Sequence, residues 1–396
     1  MNNKRFFITI LTLIILFSVL PTAIFAANTK TNEIEKSVIK EPVSIELPKM
    51  PDSELTEKLQ EEMSKYYSEA KNMGISIGIV KDGQVLFSNY GLTQKNGEKI
   101  SEHSLFEIGS ITKVFTGTIL ADLANQGKLS LNDPLEKYFD FPIAMTDNTK
   151  IKLIDLVTHT SGLPRLPSNF DDNYDPDKDY DPYKDYDIDK LVEFLKTVQP
   201  ATKPGTVFLY SNVGMGTLGY VIEQVTGKSY DQVIQETICN KLDMKNTAGV
   251  LTTKQEAMRA TPHLPNGKVT NEWNWDVLLA AGGIKSSTYD MTKFIAANLG
   301  QIAKDDKQLH AAFNMAQKSR WSGKDGTKDR KIGLAWIEIS TNNICYFHNG
   351  KTLGYRSSMV LCPQKNAGVI ILCNHTGDIS DVDNFAFKLI SIIESN

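Results

Sequence analysis

The chain has 396 residues, 41% of them hydrophobic and 23% charged, an ordinary globular composition with enough length for one large core or two. Its formal charge of −4 leaves no basic footprint for nucleic acid and is too mild for a disordered acidic tail.

Lys4 and Arg5 form a short basic region ahead of an uncharged run from Phe6 to Leu20. Ala23-Ile24-Phe25-Ala26 follows, and the pattern predicts an export signal over 1–26, cleaved after Ala26. Ile24 is large for its place in such a site. The rival reading is an uncleaved anchor, because apolar character continues to Ala27, long enough to span a bilayer at about 20 residues. Either reading places the rest of the chain outside the cytoplasm, secreted or associated with the cell envelope, with membrane attachment if the segment stays. Asn28 to Pro51 is polar, rich in Lys, Glu and Pro, and reads as a flexible tether over 27–51. Residues 52–396 read as the folded domain.

Ser53 to Asn72 has an amphipathic helical stripe of Leu55, Leu59, Met63 and Tyr66. Ile75 to Val80 and Val85 to Phe87 predict two strands joined by a hairpin at Lys81-Asp82-Gly83. Gly74-Ile75-Ser76-Ile77-Gly78 matches the G-x-S-x-G elbow, but that elbow needs a strand-to-helix turn and here the strand runs into the hairpin.

S-x-x-K occurs three times, at Ser37–Lys40, Ser68–Lys71 and Ser110–Lys113. A nucleophilic serine needs a helix N-terminus, where free N–H groups stabilise developing negative charge, and a lysine one turn on to take its proton. Ser37 falls in the tether and Ser68 in the last turn of an exposed helix. Ser110 opens an apolar helical run through Val114, Ile119, Leu120 and Leu123 that ends near Gly127. Gly109 before it permits close backbone approach, and an apolar setting would lower the pKa of Lys113. The plain alternative is an N-cap serine beside a surface lysine.

The middle, roughly 131–275, reads as a mostly helical lobe inserted between sheet-forming ends. Within it, Asp171 to Lys190 repeats Asp and Tyr; it lacks the central Gly of a calcium loop and reads as a solvated surface loop bordering the cleft. Tyr210-Ser211-Asn212 follows a Pro-Gly turn and precedes a helix. Ile344 to His348, Ser357 to Leu361 and Gly368 to Cys373 predict three strands, and Asp383 to Glu394 a closing helix with Phe387, Leu389 and Ile390 buried. Four cysteines, Cys239, Cys345, Cys362 and Cys373, permit disulfides in an exported chain. Three of them sit in apolar runs, where packed free thiols are the stronger reading. The predicted fold class is α+β, or mixed α/β: an antiparallel sheet built from both chain ends, flanked by the terminal helices, with the cleft against the helical lobe.

Taken together, these segments resemble the class C β-lactamases and the related low-molecular-mass penicillin-binding proteins and D-peptidases. Phe106-Glu107-Ile108-Gly109-Ser110-Ile111-Thr112-Lys113 looks like the family's nucleophile helix, and Leu156 to Pro164 like its second block. Tyr210-Ser211-Asn212 looks like Y-x-N, Ala281 to Ile284 like the return to the sheet, and His348-Asn349-Gly350 stands where the family has K-T-G or H-x-G. The resemblance covers roughly Ile75 to Cys373. It implies a serine acyl-enzyme hydrolase acting on β-lactams or D-alanyl-D-alanine peptides, without metal or cofactor. Ser110, Lys113 and Tyr210 would be catalytic. Asn212 would bind a substrate amide and Lys113, and Gly350 would let substrate lie along the strand edge. The N–H of Lys351 would join that of Ser110 in an oxyanion hole, and His348 would polarise Tyr210 or meet a substrate carboxylate. His348 departs from the lactamase lysine and shifts the expectation toward peptidase and esterase branches. An esterase, a D-aminopeptidase and a non-catalytic penicillin sensor are the alternatives. The expected partner is a small-molecule or peptide substrate, and the chain is expected to be a monomer.

Overall fold

A computed structural model of the chain describes residues 44–395 except 71–73, 95, 171–180, 182 and 378. The export signal and most of the tether, Ser37, Lys71 and much of the Asp- and Tyr-rich segment lie outside the described residues.

The helix Glu54–Ala70 is capped by Ser53, whose Oγ accepts the N–H of Thr56 at 3.2 Å. Ahead of it, residues read from sequence as the end of the tether lie along a strand edge: Met50 N–H donates to Val85 O at 2.8 Å and Val85 N–H to Pro48 O at 2.8 Å. The strands β1 (Ile75–Lys81) and β2 (Gln84–Tyr90) form the expected hairpin. The short strands β3 (Phe106–Glu107) and β4 (Lys285–Ser286) pair apart from the main sheet. After β5 (Trp321–Asp325), β6 (Lys328–Ile332) and β7 (Ile337–Ser340) come β8 (Ile344–Lys351), β9 (Arg356–Cys362) and β10 (Ala367–Cys373). The eight-stranded antiparallel sheet has the order β2-β1-β10-β9-β8-β7-β6-β5, so the N-terminal hairpin docks on the last strand, as expected.

The period-two alternation of a strand divides β10 between two layers. Val369 and Ile371 face the terminal helices, while Ile370 and Leu372 face the opposite side. On the first side the helix Ile379–Glu394 lies over β9 and β10 beside Glu54–Ala70. Leu59, Met63, Leu389 and Ile390 are buried there, and Tyr66 stacks on Phe385 with centroids 3.9 Å apart. Each such aliphatic burial stabilises by about 1.5–3 kcal/mol. On the second side the helix Thr288–Asn298 covers β1 and β10, and the core continues into the helices Thr112–Asn125 and Asn212–Thr226.

β5 to β7 were not anticipated. β5 and β6 are mostly polar, with Ser322, Lys324, Lys328, Asp329 and Arg330 half-exposed at one end of the sheet, and β7 alternates Ile337 and Ile339 over only four residues. The cysteine reading is corrected as well. Cys345 and Cys362 face each other across β8 and β9 and are joined by a disulfide, leaving Cys239 and Cys373 as the buried thiols. The two residues fall on neighbouring strands in register, a placement that spacing alone does not reveal. Among the described residues no helix is long and apolar enough to cross a membrane.

One contact joins the layers at the future site. Gly109, at φ +52°, lies against β8 so closely that an added Cβ would sit 2.8 Å from Lys351 N. In return a Cβ on Gly350 would press into Ile108 O and Ser357 Oγ. Ser357 Oγ already donates to Ile108 O at 2.7 Å. We therefore expect Gly350→Ala to cost roughly 2 kcal/mol or more, because backbone rather than a flexible side chain must move. Gly83→Ala, strained only by its φ of +78° in open space, should cost roughly 1 kcal/mol. Urea denaturation compares the two; equal losses would contradict the contact.

Candidate active site

The chain enters the site from β3. Ile108 N–H donates to Ile284 O at 3.0 Å, and Gly109–Ile111 turns as a single 3₁₀ unit into the helix Thr112–Asn125. Ser110 is thereby placed in the first turn, half-buried, and Lys113 follows on the same face. Lys113 is fully buried; its Nζ lies 2.9 Å from Ser110 Oγ and 2.6 Å from Ala281 O. Burial, with a smaller push from Arg165, holds its pKa well below the ordinary lysine value. The Ser110–Lys113 copy has the geometry that the chemistry needs. Ser68 is exposed and bonds to Lys65 O, and Ser76 is locked in β1 against Asn89 and Thr288.

Tyr210 arrives on an extended segment held by the block before it. Leu209 N–H donates to His159 O at 2.7 Å, Ser211 N–H to His159 Nδ1 at 3.2 Å, and Ser211 Oγ to Pro164 O at 2.7 Å. Ser211 then caps the helix Asn212–Thr226 by accepting Gly214 N–H. The Tyr210 ring lies 4.8 Å from Lys113 Nζ, and Ser110 is a neighbour that lowers the pKa of its hydroxyl. Burial pushes its pKa up to about 12, so at neutral pH it is a phenol that donates and not a phenolate. His159, with φ +59° and its ring 4.3 Å from that of Tyr210, is buried and held uncharged by that burial.

Three expectations about the remaining residues change. Asn212 does not reach Lys113; its Nδ2 donates to Tyr183 Oη at 3.4 Å, and its buried Oδ1 has no partner among the described residues. Gly350 leaves no room for substrate at its own Cα, since that space holds Ile108 and Ser357. His348 is buried, with its ring 6.4 Å from that of Tyr210, and burial drives its pKa down to about 3. It is neutral. Its Nδ1 lies 2.7 Å from Asn349 O, so Nδ1 carries the hydrogen, and no cation stands there to meet a carboxylate. Lys351 ends β8 with an exposed side chain.

A cavity of about 350 Å³ opens on Ser110. Its walls hold Arg165, Asn212, Lys351 and the aromatic rings of Phe170, Tyr183, Trp273 and Trp275. Tyr183 comes from the described end of the Asp- and Tyr-rich segment. Asp181 ties that segment to the tryptophans through Asn274 N–H at 2.6 Å. Trp273 and Trp275 belong to no motif and carry no signal of their own in the sequence pattern.

The Beta-lactamase family model matches residues 55–388. A beta-lactamase of Pseudomonas fluorescens is 30% identical over 335 residues, covering 76% of this chain and 88% of its own. The D-alanyl-D-alanine-carboxypeptidase/endopeptidase AmpH of Escherichia coli K12 is 26% identical over 312 residues, 76% and 78% of the two chains. In fold, the crystal structure of a beta-lactamase/D-alanine carboxypeptidase from Pseudomonas syringae superposes with a TM-score of 0.74 at 23% identity, over 86% of this chain and 99% of that one.

Glu107 is a further site-adjacent residue that sequence reasoning passed over. It lies two residues before Gly109, 1% exposed, and neither carboxylate oxygen finds hydrogen-bond geometry among the described residues. Burial raises its pKa to about 7 against the pull of Lys285. The folded state therefore holds a proton that the unfolded chain, near 4.5, has released. Its stabilising contribution is present below pH 4.5 and is lost as pH rises through about 7. Glu107→Gln should abolish up to roughly 3 kcal/mol of that fall. Denaturation midpoints between pH 4.5 and 8 read it; parallel curves for the two proteins would contradict it.

Proposed function

The chain belongs to the beta-lactamase family and is a serine hydrolase of the beta-lactamase and penicillin-binding type, and on that premise we propose that Ser110 is its acylated nucleophile. The observation that carries the reading is the buried Lys113 Nζ 2.9 Å from Ser110 Oγ. Burial favours the uncharged amine of Lys113, which offers a lone pair for the hydroxyl proton. Ser110 attacks the substrate carbonyl as its proton passes to Lys113. The backbone N–H groups of Ser110, in the first turn of its helix, and of Lys351, at the end of β8, hold the oxyanion. The phenol of Tyr210 gives its proton to the leaving group and regains one from Lys113. Water then attacks the ester, its proton returns to the Lys113–Tyr210 pair, and Ser110 is released with its own. Asn212 Oδ1, an acceptor without a partner among the described residues, takes a substrate N–H.

The substrate under this reading is a cell-wall peptide ending in D-alanine, or a β-lactam that mimics it. Such peptides lie outside the cytoplasm, consistent with export directed by residues 1–26. Ester hydrolysis is the second reading, favoured by the neutral His348, which offers no charge of its own to a terminal carboxylate.

Labelling with fluorescent penicillin separates these outcomes: persistent label marks a penicillin-binding protein, transient label a lactamase, and no label with p-nitrophenyl ester turnover an esterase. Ser110→Ala and Lys113→Arg should each lower kcat by about 10⁴-fold or more, and Tyr210→Phe by about 10²–10⁴-fold. The acid limb of kcat/KM should follow deprotonation of Lys113. No alkaline fall should appear below pH 10, since Tyr210 ionises only at about 12. Full turnover in Ser110→Ala would sink the reading.

A further inference from the structure

The cavity around Ser110 has an uneven charge. The charged side chains that line it are Arg165 and Lys351, both cations, in a chain whose formal charge is −4. Neither has an ion-pair partner among the described residues. An unpaired cation at the edge of an aromatic, poorly polarisable wall keeps more of its field than one on an open surface.

Arg165 is the better placed of the two. Its carbonyl accepts Asn212 N–H at 2.9 Å and Val213 N–H at 3.4 Å, which fixes its backbone to the start of the helix behind Tyr210. Its guanidinium carbon stands 5.1 Å from the centroid of the Tyr210 ring. The stem is thus oriented, while the side chain stays exposed to the cavity. Beside it is the unpartnered Oδ1 of Asn212. Together the pair offers one acceptor for an N–H and one planar cation for a carboxylate, the pattern of an acylated amino acid. His348 adds no charge to this recognition.

We propose that Arg165 is the specificity-determining residue of this site, pairing with a carboxylate of the acyl donor beside the amide held by Asn212. The inference rests on Ser110 being the nucleophile. It assigns the negative charge of the substrate to the Tyr210 side of the cavity and not to His348 on the strand edge. Lys351 supplies a second, weaker attraction through its flexible stem.

Arylboronic acids, which bond reversibly to an activated serine, test this without needing the natural substrate. Affinities of phenylboronic acid and of its 3-carboxy and 4-carboxy derivatives are measured by calorimetry on the full chain. In the wild type at least one carboxylate isomer should bind more tightly than phenylboronic acid, and the preference should shrink as salt rises. Arg165→Gln should lower that preference about tenfold or more, and Arg165→Lys should restore part of it. An unchanged preference in Arg165→Gln, or no preference in the wild type, overturns the inference while leaving the nucleophile in place. Ser110→Ala should lose all three ligands; undiminished binding there overturns the nucleophile reading instead.

Discussion

The catalytic geometry depends on two glycines that allow a helix turn to lie against a strand end. A side chain on either Gly109 or Gly350 would separate β8 from the nucleophile turn. Without that approach the N–H groups of Ser110 and Lys351, which come from segments more than two hundred residues apart, could not serve one oxyanion. Ser357 Oγ on Ile108 O and Ile108 N–H on Ile284 O clamp the same turn from its two sides. The turn is therefore set by backbone contacts, and the side chains of the site inherit their positions from it.

The second layer of control is electrostatic and follows from the first. Closing the turn against the sheet buries Lys113, and burial alone is enough to bias it toward the neutral amine. The same desolvation keeps Tyr210 protonated and leaves His159 and His348 uncharged. One physical cause thus separates a proton acceptor from a proton donor across the same serine. It also moves positive charge to the cavity rim, where Arg165 and Lys351 remain in contact with water.

The sequence carried the fold's frame because its signals there are local. The hairpin turn at Asp82-Gly83, the stripe of Leu59 and Met63, and the apolar runs of β9 and β10 each declare their element within a few residues. Ser110, Lys113 and Tyr210 were legible through short motifs at element starts. What sequence could not express was mutual placement. Asn212 turns toward Tyr183 instead of Lys113, Gly350 packs against Ile108 and Ser357, and Cys345 meets Cys362 only because β8 and β9 are in register. The polar strands β5 and β6, the short β7 and the tryptophan walls have too little period or motif to announce them.

The central claim is that Lys113 is a neutral base at working pH. Its side chain can be observed directly by heteronuclear NMR of isotopically labelled lysine, with Lys113→Arg assigning the resonance. A signal typical of a neutral amine at pH 7, titrating well below the ordinary lysine value, is the predicted result. An ammonium signal that titrates near 10.5, like a surface lysine, would contradict the account.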